Sequence, residues 1–429
     1  MEAYIRSVFM ATTNDFIGSF AQENVSFTTQ LVKTSVFGDN YWKVMVFTDN
    51  ARFLEPGGVW TDIPGSSFEV TPMVPGNPGD DGIPGTSDNN ETADTPAVMS
   101  GLSQFISVTA DDYGERTKGL LNSWMYDLFC NGFTGECIVV KLPTEANDKD
   151  KTIKAMESAY HVMKPYAYHK TVCAGADSIT QDFADICNAL AGLCKEDKGL
   201  LSSAPYFPYS TATPSIPESD LIYNTCFEAG NDAFMACYAD ATRNAALYSL
   251  GLVLSVQDNG SGTCVGSSID MTKSSLIQSS GPGGTQLDKD TRDLLEVKHI
   301  QTFKPVGDNS GTVAAIGTKT ILGDTIQATW IVAYITYMTK VGIAKLITTV
   351  DYIKNSSNYT TLIGVMVNNL NKFGTSGSGR LSDLAVTAPA FENLPPASGN
   401  EIVIPNAWSA TYTDHVRSVK ITGSLTIGV

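Results

Sequence analysis

The chain has 429 residues, 42% of them hydrophobic and 17% charged, which suits a folded soluble protein of two or three domains. Its formal net charge of -17 argues against nucleic acid as the main partner, because phosphate binding needs a surplus of lysine and arginine on one face. The eight cysteines include no C-x-x-C pair, so the sequence favours reduced thiols in a cytoplasm over a zinc site.

The first hundred residues contain an N-terminal segment, two predicted strands and an insertion. The opening residues have no apolar run of secretory length, so we expect no signal peptide. Residues 25–32 and 41–47 are rich in β-branched and aromatic side chains and flank the turn signal FGDN, which predicts paired strands. Residues 64–99 are rich in Gly, Pro, Asp and Asn, and they predict a long surface loop or a small insertion.

Residues 100–297 alternate between helical and strand patterns, which predicts an α/β layer with at least three strands in or near one sheet. A helix predicted at 112–130 ends at Asn131 and Gly132, and the apolar run at 136–142 predicts a strand covered on both faces. The apolar face of that helix is expected to contain Leu120, Leu121, Trp124 and Leu128. The other predicted elements are helices at 150–163, 178–195 and about 230–250, and strands near 167–175 and 199–205.

Two long helices are predicted in the C-terminal third. The window 330–350 is the most apolar in the chain, but Lys340 and Lys345 lie well inside it. Because a membrane span would hold both ammonium groups near hydrocarbon, the pattern favours a buried helix of a soluble protein. Residues 374–380 are glycine-rich and predict a flexible connection after the second helix, which Gly374 ends. The apolar faces are Ile331, Ile335 and Met338 in the first helix and Leu362, Met366, Leu370 and Phe373 in the second.

The last fifteen residues, HVRSVKITGSLTIGV, have the strongest strand pattern in the chain. Apolar and polar side chains alternate up to the final residue. Because the backbone groups of such a strand need partners, it either pairs inside its own domain or adds to the sheet of another subunit. Its apolar side consists of Val419, Ile421, Leu425, Ile427 and Val429.

Motifs for catalysis, metal binding and phosphate binding are missing from the sequence. The four histidines, at positions 161, 169, 299 and 415, have no metal-binding spacing, and there is no G-x-S-x-G elbow. In GTVAAIGTKT five residues separate the glycines where a P-loop has four. Asp111, Asp112 and Glu115 are interpreted as carboxylates that cap a helix start. We therefore predict no catalytic, cofactor-binding or metal-binding residue and no enzyme; the alternative is an α/β enzyme with a pocket at the carboxyl ends of its strands.

Three segments resemble the contractile tail sheath proteins of bacteriophages and the related sheaths of contractile bacteriocins. LFCNGFTGECIVVKL, residues 128–142, is similar to the family's Phe-x-Asn-Gly-Gly turn and Cys-x-Val-Val-Arg-like strand, with Phe133 in place of the second glycine. Residues 316–337 are similar to the family's Gly-x-Arg-Thr-Leu segment before a long helix, with Lys319 in place of arginine. The C-terminal RSVKITGSLTIGV is similar to the strand by which sheath subunits link to their neighbours.

This resemblance implies a mixed α/β, multi-domain tail-sheath-like fold and a structural function. The chain would be a subunit of a contractile tail sheath that polymerises helically around a tail tube and contracts to drive the tube through the host envelope. A bacteriocin or injection-system sheath without a phage head is an alternative. The implied parts are an N-terminal arm at 1–22, an outer α/β domain at 23–297 with the insertion at 64–99, an inner tube-facing domain at 298–411 and a C-terminal strand arm at 412–429.

The resemblance also implies partners and a location. The expected partners are further copies of the chain in hexameric rings, the tail tube protein, and the baseplate and tail terminator proteins. No cofactor, nucleic acid partner or membrane insertion is expected. The protein would be made in the cytoplasm of a host bacterium and would become part of a virion tail that serves genome ejection.

Charge is unevenly divided between the implied domains. Residues 298–429 contain ten basic and seven acidic residues, a balance of +3, which leaves -20 for residues 1–297. If the inner domain faces the tube, some of its basic side chains are expected to contact the tube. The alternatives are chance for the charge difference and solvated helix faces for these side chains. The possible tube contacts are Lys340, Lys345, Lys354, Lys372 and Arg380.

Overall fold

The computed structural model contains a seven-stranded sheet with helices on both faces. It describes residues 42–48, 55–56, 58–74, 95–130, 132–173, 181–196, 202–203, 221–230, 234–235, 245–255, 289–300, 302–305, 313–316, 320, 322–323, 326–349, 354–377, 379–396, 402–405 and 407–412. The strands are β1 (Val44–Thr48), β2 (Glu55–Pro56), β3 (Thr61–Asp62), β4 (Glu69–Thr71), β5 (Val98–Met99), β6 (Gln104–Val108), β7 (Thr117–Lys118), β8 (Cys137–Lys141), β9 (His169–Cys173), β10 (Ser202–Ser203), β11 (Phe234–Met235), β12 (Thr302–Pro305), β13 (Val313–Ile316), β14 (Leu381–Val386) and β15 (Trp408–Tyr412). The helices are α1 (Tyr113–Arg116), α2 (Gly119–Phe129), α3 (Lys149–Met163), α4 (Gln181–Glu196), α5 (Leu221–Glu228), α6 (Ala245–Ser255), α7 (Lys289–Val297), α8 (Ile326–Thr349) and α9 (Ser356–Asn371).

Strand β1 lies in the middle of the large sheet, whose order is β11-β10-β9-β1-β8-β6-β3. It pairs in parallel with β8 on one side and β9 on the other, so Val44 lies opposite both Cys137 and His169. Strands β6 and β3 complete one edge in antiparallel orientation. All of β1 and nearly all of β8 are buried, as expected for strands that helices cover on both faces. The predicted mixed α/β fold is confirmed.

Alternate residues of β1 divide the apolar core into two clusters, because successive side chains of a strand point to opposite faces. Val44 and Val46 belong to the cluster that contains buried side chains of α2, α6, α8 and α9. Met45 and Phe47 belong to the cluster that contains buried side chains of α3 and α4. The sheet is therefore the middle layer between two layers of helices.

Helices α8 and α9 lie after the predicted domain boundary at residue 298 but pack on the sheet. The ring of Tyr337 in α8 has its centroid 5.5 Å from that of Tyr168, next to β9, and Tyr334 lies 6.2 Å from Trp42, next to β1. The described residues of the predicted outer and inner domains thus share one apolar cluster. The predicted boundaries themselves stay a prediction, and both terminal arms lie outside the described residues apart from Tyr412.

A tight turn follows α2, as the sequence predicts. The backbone N–H of Gly132 donates to the carbonyl of Phe129 at 3.0 Å, and Gly132 has a φ of 86°, which favours glycine. Phe133 is buried, and its ring stacks on that of Phe129 with centroids 5.7 Å apart. The side chain of Phe133 therefore fills the core beside this turn. Cys130 and Cys137, on the two sides of this turn, form no disulfide bond with each other or with another described cysteine.

Close helix packing on this face depends on glycine. A Cβ on Gly251 of α6 would lie 1.9 Å from the carbonyl oxygen of Leu128 in α2. Because that neighbour is backbone, no side-chain rotation could relieve the clash. Gly251 thus sets how closely α6 approaches α2.

The prediction of one continuous helix at 112–130 is wrong in one respect, because the structure has two helices separated by a short strand. The chain forms α1, then leaves the helical conformation so that β7 pairs with β2, and resumes as α2 at Gly119. Leu121, Trp124 and Leu128 are buried as predicted, whereas Leu120 is exposed. Leu120 lies in the first turn at the edge of the apolar stripe, so it does not face the sheet.

The prediction for residues 230–250 is also partly wrong. Phe234 and Met235 pair with β10 as strand β11, and the helix in this region is α6, at Ala245–Ser255. Pairing at the sheet edge overrides the local helical preference. The other predicted helices and strands between 136 and 205 are present as β8, α3, β9, α4 and β10. Residues 41–47 contain β1, but the strand predicted at 25–32 lies outside the described residues.

The predicted insertion at 64–99 begins and ends in an ordered antiparallel ribbon. Strand β4 pairs with β5, and Val74 forms a further bridge with Thr95. The base of this ribbon is fixed to the sheet, because the N–H of Phe68 donates to Ser100 Oγ at 3.0 Å and Phe68 is buried. Residues 69–74 and 95–99 are called the insertion ribbon below. Residues 75–94 lie outside the described residues.

Candidate assembly surfaces

Strands β14 and β15 form a two-stranded antiparallel sheet, called the C-terminal ribbon below. Leu381 lies opposite Tyr412 and Val386 opposite Trp408. The register shifts between Ser382 and Ala385, where the intervening Asp383 has a φ of 51°. A bulge of this kind increases the local twist of a ribbon.

One face of the C-terminal ribbon is attached to the core and its edges are open. Leu381 is buried in the apolar cluster of α8 and α9, and Trp408 and Tyr412 pack against that cluster. Alternate residues of β15, Ser409 and Thr411, are exposed. Within the described residues, no third strand pairs with β14 or β15. Within the described part of the chain, the outer edges of the ribbon therefore have no strand partner, which is the arrangement to which another strand can add.

A hydrogen-bonded turn holds this ribbon on the end of α9. Gly377 and Gly379 both donate from the backbone to the carbonyl of Gly374 at 2.9 Å. The N–H of Leu381 donates to the carbonyl of Phe373 at 2.8 Å. The glycine-rich segment predicted as a flexible connection is thus fixed at these residues, because its glycines adopt the turn that returns the chain to the helix end.

The predicted subunit-linking strand lies outside the described residues. Its side chains Val419, Ile421, Leu425, Ile427 and Val429 follow Tyr412, the last residue of β15 and of the described chain. The last described residue before this segment, Tyr412, belongs to the C-terminal ribbon.

Helices α8 and α9 form a hairpin that carries most of the predicted tube contacts. The side chain of Asn355 caps α9 by accepting from the N–H of Asn358 at 2.8 Å. The helices cross closely at Gly342, where a Cβ would lie 2.5 Å from Val365 Cγ1. A buried hydrogen bond from Asn369 Nδ2 to Thr339 Oγ1, 3.3 Å long, also joins them. The predicted apolar faces are confirmed, with Ile331, Ile335, Met366, Leu370 and Phe373 buried and Met338 and Leu362 partly buried.

The five predicted tube contacts have different environments. Lys345 and Lys354 are exposed and Lys340 is partly exposed. Lys372 lies over the ring of Tyr334, with Nζ 5.5 Å from the ring centroid, and donates to its hydroxyl at 3.4 Å. Arg380 is only 9% exposed, next to buried Leu381. The structure therefore leaves Lys345 and Lys354 as the best placed of the five to meet another protein.

A network of charged side chains lies where β6 ends and β1 and β8 begin. Lys43 Nζ lies 2.5 Å from one oxygen of Glu136, and the hydroxyl of Ser107 donates to the other. Burial raises the pKa of Glu136, but hydrogen bonds from Lys43 and Ser107 and the charge of Lys43 outweigh this, so the pKa is lowered overall. These contacts join three neighbouring strands.

Asp112 lies near the same end of these strands, just after β6. Its carboxylate accepts from the N–H of Thr109 at 2.6 Å and from the Thr109 hydroxyl at 2.9 Å, and Arg116 Nε lies 2.7 Å away. Burial raises the pKa of Asp112, yet the Thr109 hydrogen bonds and the charge of Arg116 lower it overall. The predicted capping is therefore partly wrong: Asp112 is the residue before α1, but its side chain caps no N–H of that helix.

Groups with catalytic potential are scattered in the described part of the chain. His169 is buried in β9, His161 is exposed on α3, and His299 lies beyond α7 with a φ of 62°. Burial, with a smaller contribution from Asp185, raises the pKa of Cys226 to about 12, so its thiol stays protonated. Among the described residues no three His, Cys, Asp or Glu side chains are grouped as metal ligands. No helix in the described ranges has the length and apolar character needed to cross a membrane.

The sequence did not reveal the two ribbons. The insertion ribbon lies in a segment whose glycines and prolines indicate a loop, and only the alternation in Glu69–Thr71 could have signalled a strand. The C-terminal ribbon contains a bulge at Asp383, which breaks the alternation of β14.

Comparison with known proteins gives one finding at the level of fold. No family model and no curated protein matches the chain. A chain in the cryo-EM structure of the anti-feeding prophage baseplate, which was determined with 6-fold symmetry, superposes with a TM-score of 0.56. The superposition covers 90% of this chain and 93% of that chain at 10% sequence identity. The two chains therefore share a fold over nearly their whole lengths.

Proposed function

We propose that this chain is the structural subunit of a contractile tail sheath, which assembles helically around a tail tube and contracts to drive the tube through a host envelope. The observation that carries the proposal is the common fold with a chain of a prophage-derived baseplate, over 90% of this chain. The sheath-like segments at 128–142 and 316–337 support it separately, because a fold comparison at 10% identity owes little to such motifs.

Subunits would be linked by strand addition. In this proposal residues 416–429 of one subunit complete a sheet of its neighbour, and the acceptor includes residues 1–20. The C-terminal ribbon supports the idea, because its edges are open within the described residues and it lies where the linking segment leaves the subunit. Links made by backbone hydrogen bonds could persist while the bodies of the subunits rotate during contraction.

The inner side of the assembly would be the α8–α9 hairpin. Lys345 and Lys354 are its best-placed basic side chains for contact with the tube, and Lys340 is a further candidate. Lys372 and Arg380, which contact or lie near the core, would act more weakly if at all. Exposed ion pairs are each worth about 1 kcal/mol or less, which suits contacts that must break as the sheath contracts.

No enzyme activity is part of this proposal. The energy of contraction would be stored in a metastable extended array and released as new interfaces form. The proposed partners are further copies in hexameric rings, the tube protein, and the baseplate and terminator proteins, in a virion tail made in a bacterial cytoplasm.

A second candidate is a ring-forming component of a contractile baseplate, or of an injection system without a phage head. This candidate is favoured by the source of the matched chain, which belongs to the 6-fold symmetrised baseplate of the anti-feeding prophage. A baseplate component forms a closed ring, whereas a sheath subunit also stacks into tubes.

Negative-stain electron microscopy of the purified chain separates the candidates. The sheath proposal predicts helical tubes whose length grows with protein concentration. Isolated rings at all concentrations would favour the baseplate component. A small closed oligomer without six-fold symmetry would contradict both candidates and favour an α/β enzyme.

A further inference from the structure

The connection between β14 and β15 is long, and its two ends lie side by side. Val386 lies opposite Trp408, and the N–H of Thr387 donates to the carbonyl of Ala407 at 3.0 Å. Connections longer than about 12–15 residues are uncommon in compact domains, and those that occur are usually functional. The described part that follows β14, residues 387–396, is called the α9 strap below.

The α9 strap has little structure of its own. It contains one short 3₁₀ turn, Phe391–Asn393, in which the N–H of Asn393 donates to the carbonyl of Ala390 at 2.9 Å. None of the residues of the strap is buried. A segment with so few buried contacts opens at a free energy well below that of global unfolding, unless another element holds it in place.

Tyr359, in the first turn of α9, contacts the strap at two points. Its hydroxyl donates to the carbonyl of Pro389 at 2.7 Å, and its ring centroid lies 5.8 Å from that of Phe391. Tyr359 is only 5% exposed, and burial raises the pKa of its hydroxyl, so the proton that it donates is retained. A polar contact and an aromatic contact from one side chain therefore join the strap to the helix.

The two sides of this contact are held with different strength. The side chain of Asn355 caps α9, and the N–H of Tyr359 donates to the carbonyl of Asn355 at 3.0 Å. The other end of the helix is anchored in the apolar core by Leu370 and Phe373. If the contact breaks, we therefore expect the strap to move and the helix to stay in place.

We propose that Tyr359 is a latch, and that the α9 strap opens from the start of α9 as a unit when this latch breaks. The structure describes the closed state. Opening separates the rings of Tyr359 and Phe391 and exposes both of them to solvent, so the two states differ in the aromatic surface that they present. This device does not depend on the proposed function, because it consists of contacts within one chain.

Amide hydrogen exchange of the full chain, resolved to single residues, tests the latch. The variant Tyr359→Phe removes the hydroxyl and keeps the ring. The matched control is Tyr160→Phe, because the hydroxyl of Tyr160 also donates to a backbone carbonyl, that of Leu193 at 3.2 Å, but in the helix layer on the opposite face of the sheet. A second test variant, Phe391→Ala, removes the ring contact from the strap side. The melting temperature confirms that each variant is folded.

The proposal predicts that Tyr359→Phe increases the exchange rate of the Asn393 amide about fivefold, the effect of one lost hydrogen bond, while exchange in β1 and β8 stays unchanged. Phe391→Ala should act in the same direction, and Tyr160→Phe should leave the strap unchanged. Equal exchange of the strap in the wild type and Tyr359→Phe would overturn the latch. Equal acceleration in the strap and in β1 would also overturn it, because the strap would then open only when the whole subunit unfolds.

Discussion

Strand β1 is covered by helices on both faces, whereas the described residues contact the C-terminal ribbon on one face and reach the insertion ribbon through Val70. β1 pairs in parallel with two strands, whereas each ribbon is a single antiparallel pair, so of the three only β1 has hydrogen-bonded neighbours on both sides within the described residues. When a strand has two paired neighbours and two covered faces, its own chain provides all of its hydrogen-bond partners and packing contacts. A ribbon with open edges is stable only in part by itself, and its remaining backbone groups are available to other chains.

The difference separates two sources of stability in this protein. Burial of apolar side chains between layers determines the fold, while in the proposed function the strand edges and exposed charges determine what the chain binds. Changes in the core should therefore act on unfolding, and changes at the ribbons and on α8 should act on assembly.

Removal of residues 416–429 should have the largest effect. Since these residues are proposed to complete a sheet in a neighbouring subunit, the shortened chain should fold but lose polymerisation entirely. Electron microscopy measures the loss of tubes or rings, and circular dichroism measures the retained fold. A matched variant replaces Ser418, Thr422 and Ser424, on the polar side, by threonine or serine and should assemble normally. Full-length assemblies from the shortened chain would contradict strand donation.

Gly251→Ala should be the most damaging small change in the core. The new methyl group would meet the carbonyl oxygen of Leu128, so α6 must move away from α2, at a cost of about 3 kcal/mol in the free energy of unfolding. Denaturant unfolding of the subunit measures this.

The control for this change is Gly192→Ala in α4. Among the described residues, no heavy atom outside its helix and its chain neighbours lies within 4 Å of the position that its Cβ would occupy, so alanine should stabilise by about 0.5–1 kcal/mol. Equal effects of the two substitutions would mean that the α2–α6 contact is looser than its geometry indicates.

These two glycines also mark what the sequence could predict. Both glycines lie in helices. No pattern in the sequence shows that Gly251 allows another helix to pack closely against it while Gly192 does not. The unbroken apolar run of β8 and the helices at α3 and α4 were predictable, because burial on both faces and helical periodicity leave local signals. The interruption at β7 was not, because its partner β2 lies far away in sequence.

The candidate surfaces were predictable to a smaller extent. Alternation predicts a strand in the C-terminal segment, which lies outside the described residues, whereas a bulge at Asp383 obscures the strand pattern of the C-terminal ribbon. The charge distribution predicts five basic residues as possible tube contacts. The sequence does not show which of their side chains are exposed, because exposure depends on the fold. Arg380 is buried because the turn after α9 returns the chain to Phe373, and this return depends on hydrogen bonds that no local pattern reveals.

Glu136→Gln should have an intermediate effect that depends on pH. The folded protein lowers the pKa of Glu136, so its carboxylate stabilises the fold at neutral pH and this contribution is lost as the pH falls through the folded pKa. The variant should be less stable by about 1 kcal/mol at neutral pH, and the difference should shrink in acid. Urea unfolding at a series of pH values measures it.

The exposed glutamate Glu228, at the end of α5, provides the comparison. Glu228→Gln should change stability little at any pH, because this side chain lies on the surface. A difference between Glu136→Gln and the wild type that persists unchanged into acid would show that the substitution disturbs packing and not the charge network with Lys43.

Charge reversal on the α8–α9 side should have the smallest effect per residue and the most specific one. Lys345→Glu/Lys354→Glu should reduce assembly on the tube while leaving tube-free polymerisation unchanged, because both side chains are exposed and distant from the C-terminal ribbon in sequence. Each contact is worth about 1 kcal/mol or less, so loss of both should weaken the binding of each subunit to the tube by up to about thirtyfold, and the effect should be larger at low salt.

Two further variants decide what this result means. Lys154→Glu reverses an exposed charge on α3, on the opposite face of the sheet, and should leave tube binding unchanged. Arg380→Glu places a carboxylate where the chain is buried, so it should lower the melting temperature and not act on the tube alone. If Lys345→Glu/Lys354→Glu forms normal extended particles, the basic side chains only solvate their helices, and the face of the subunit that meets the tube lies elsewhere.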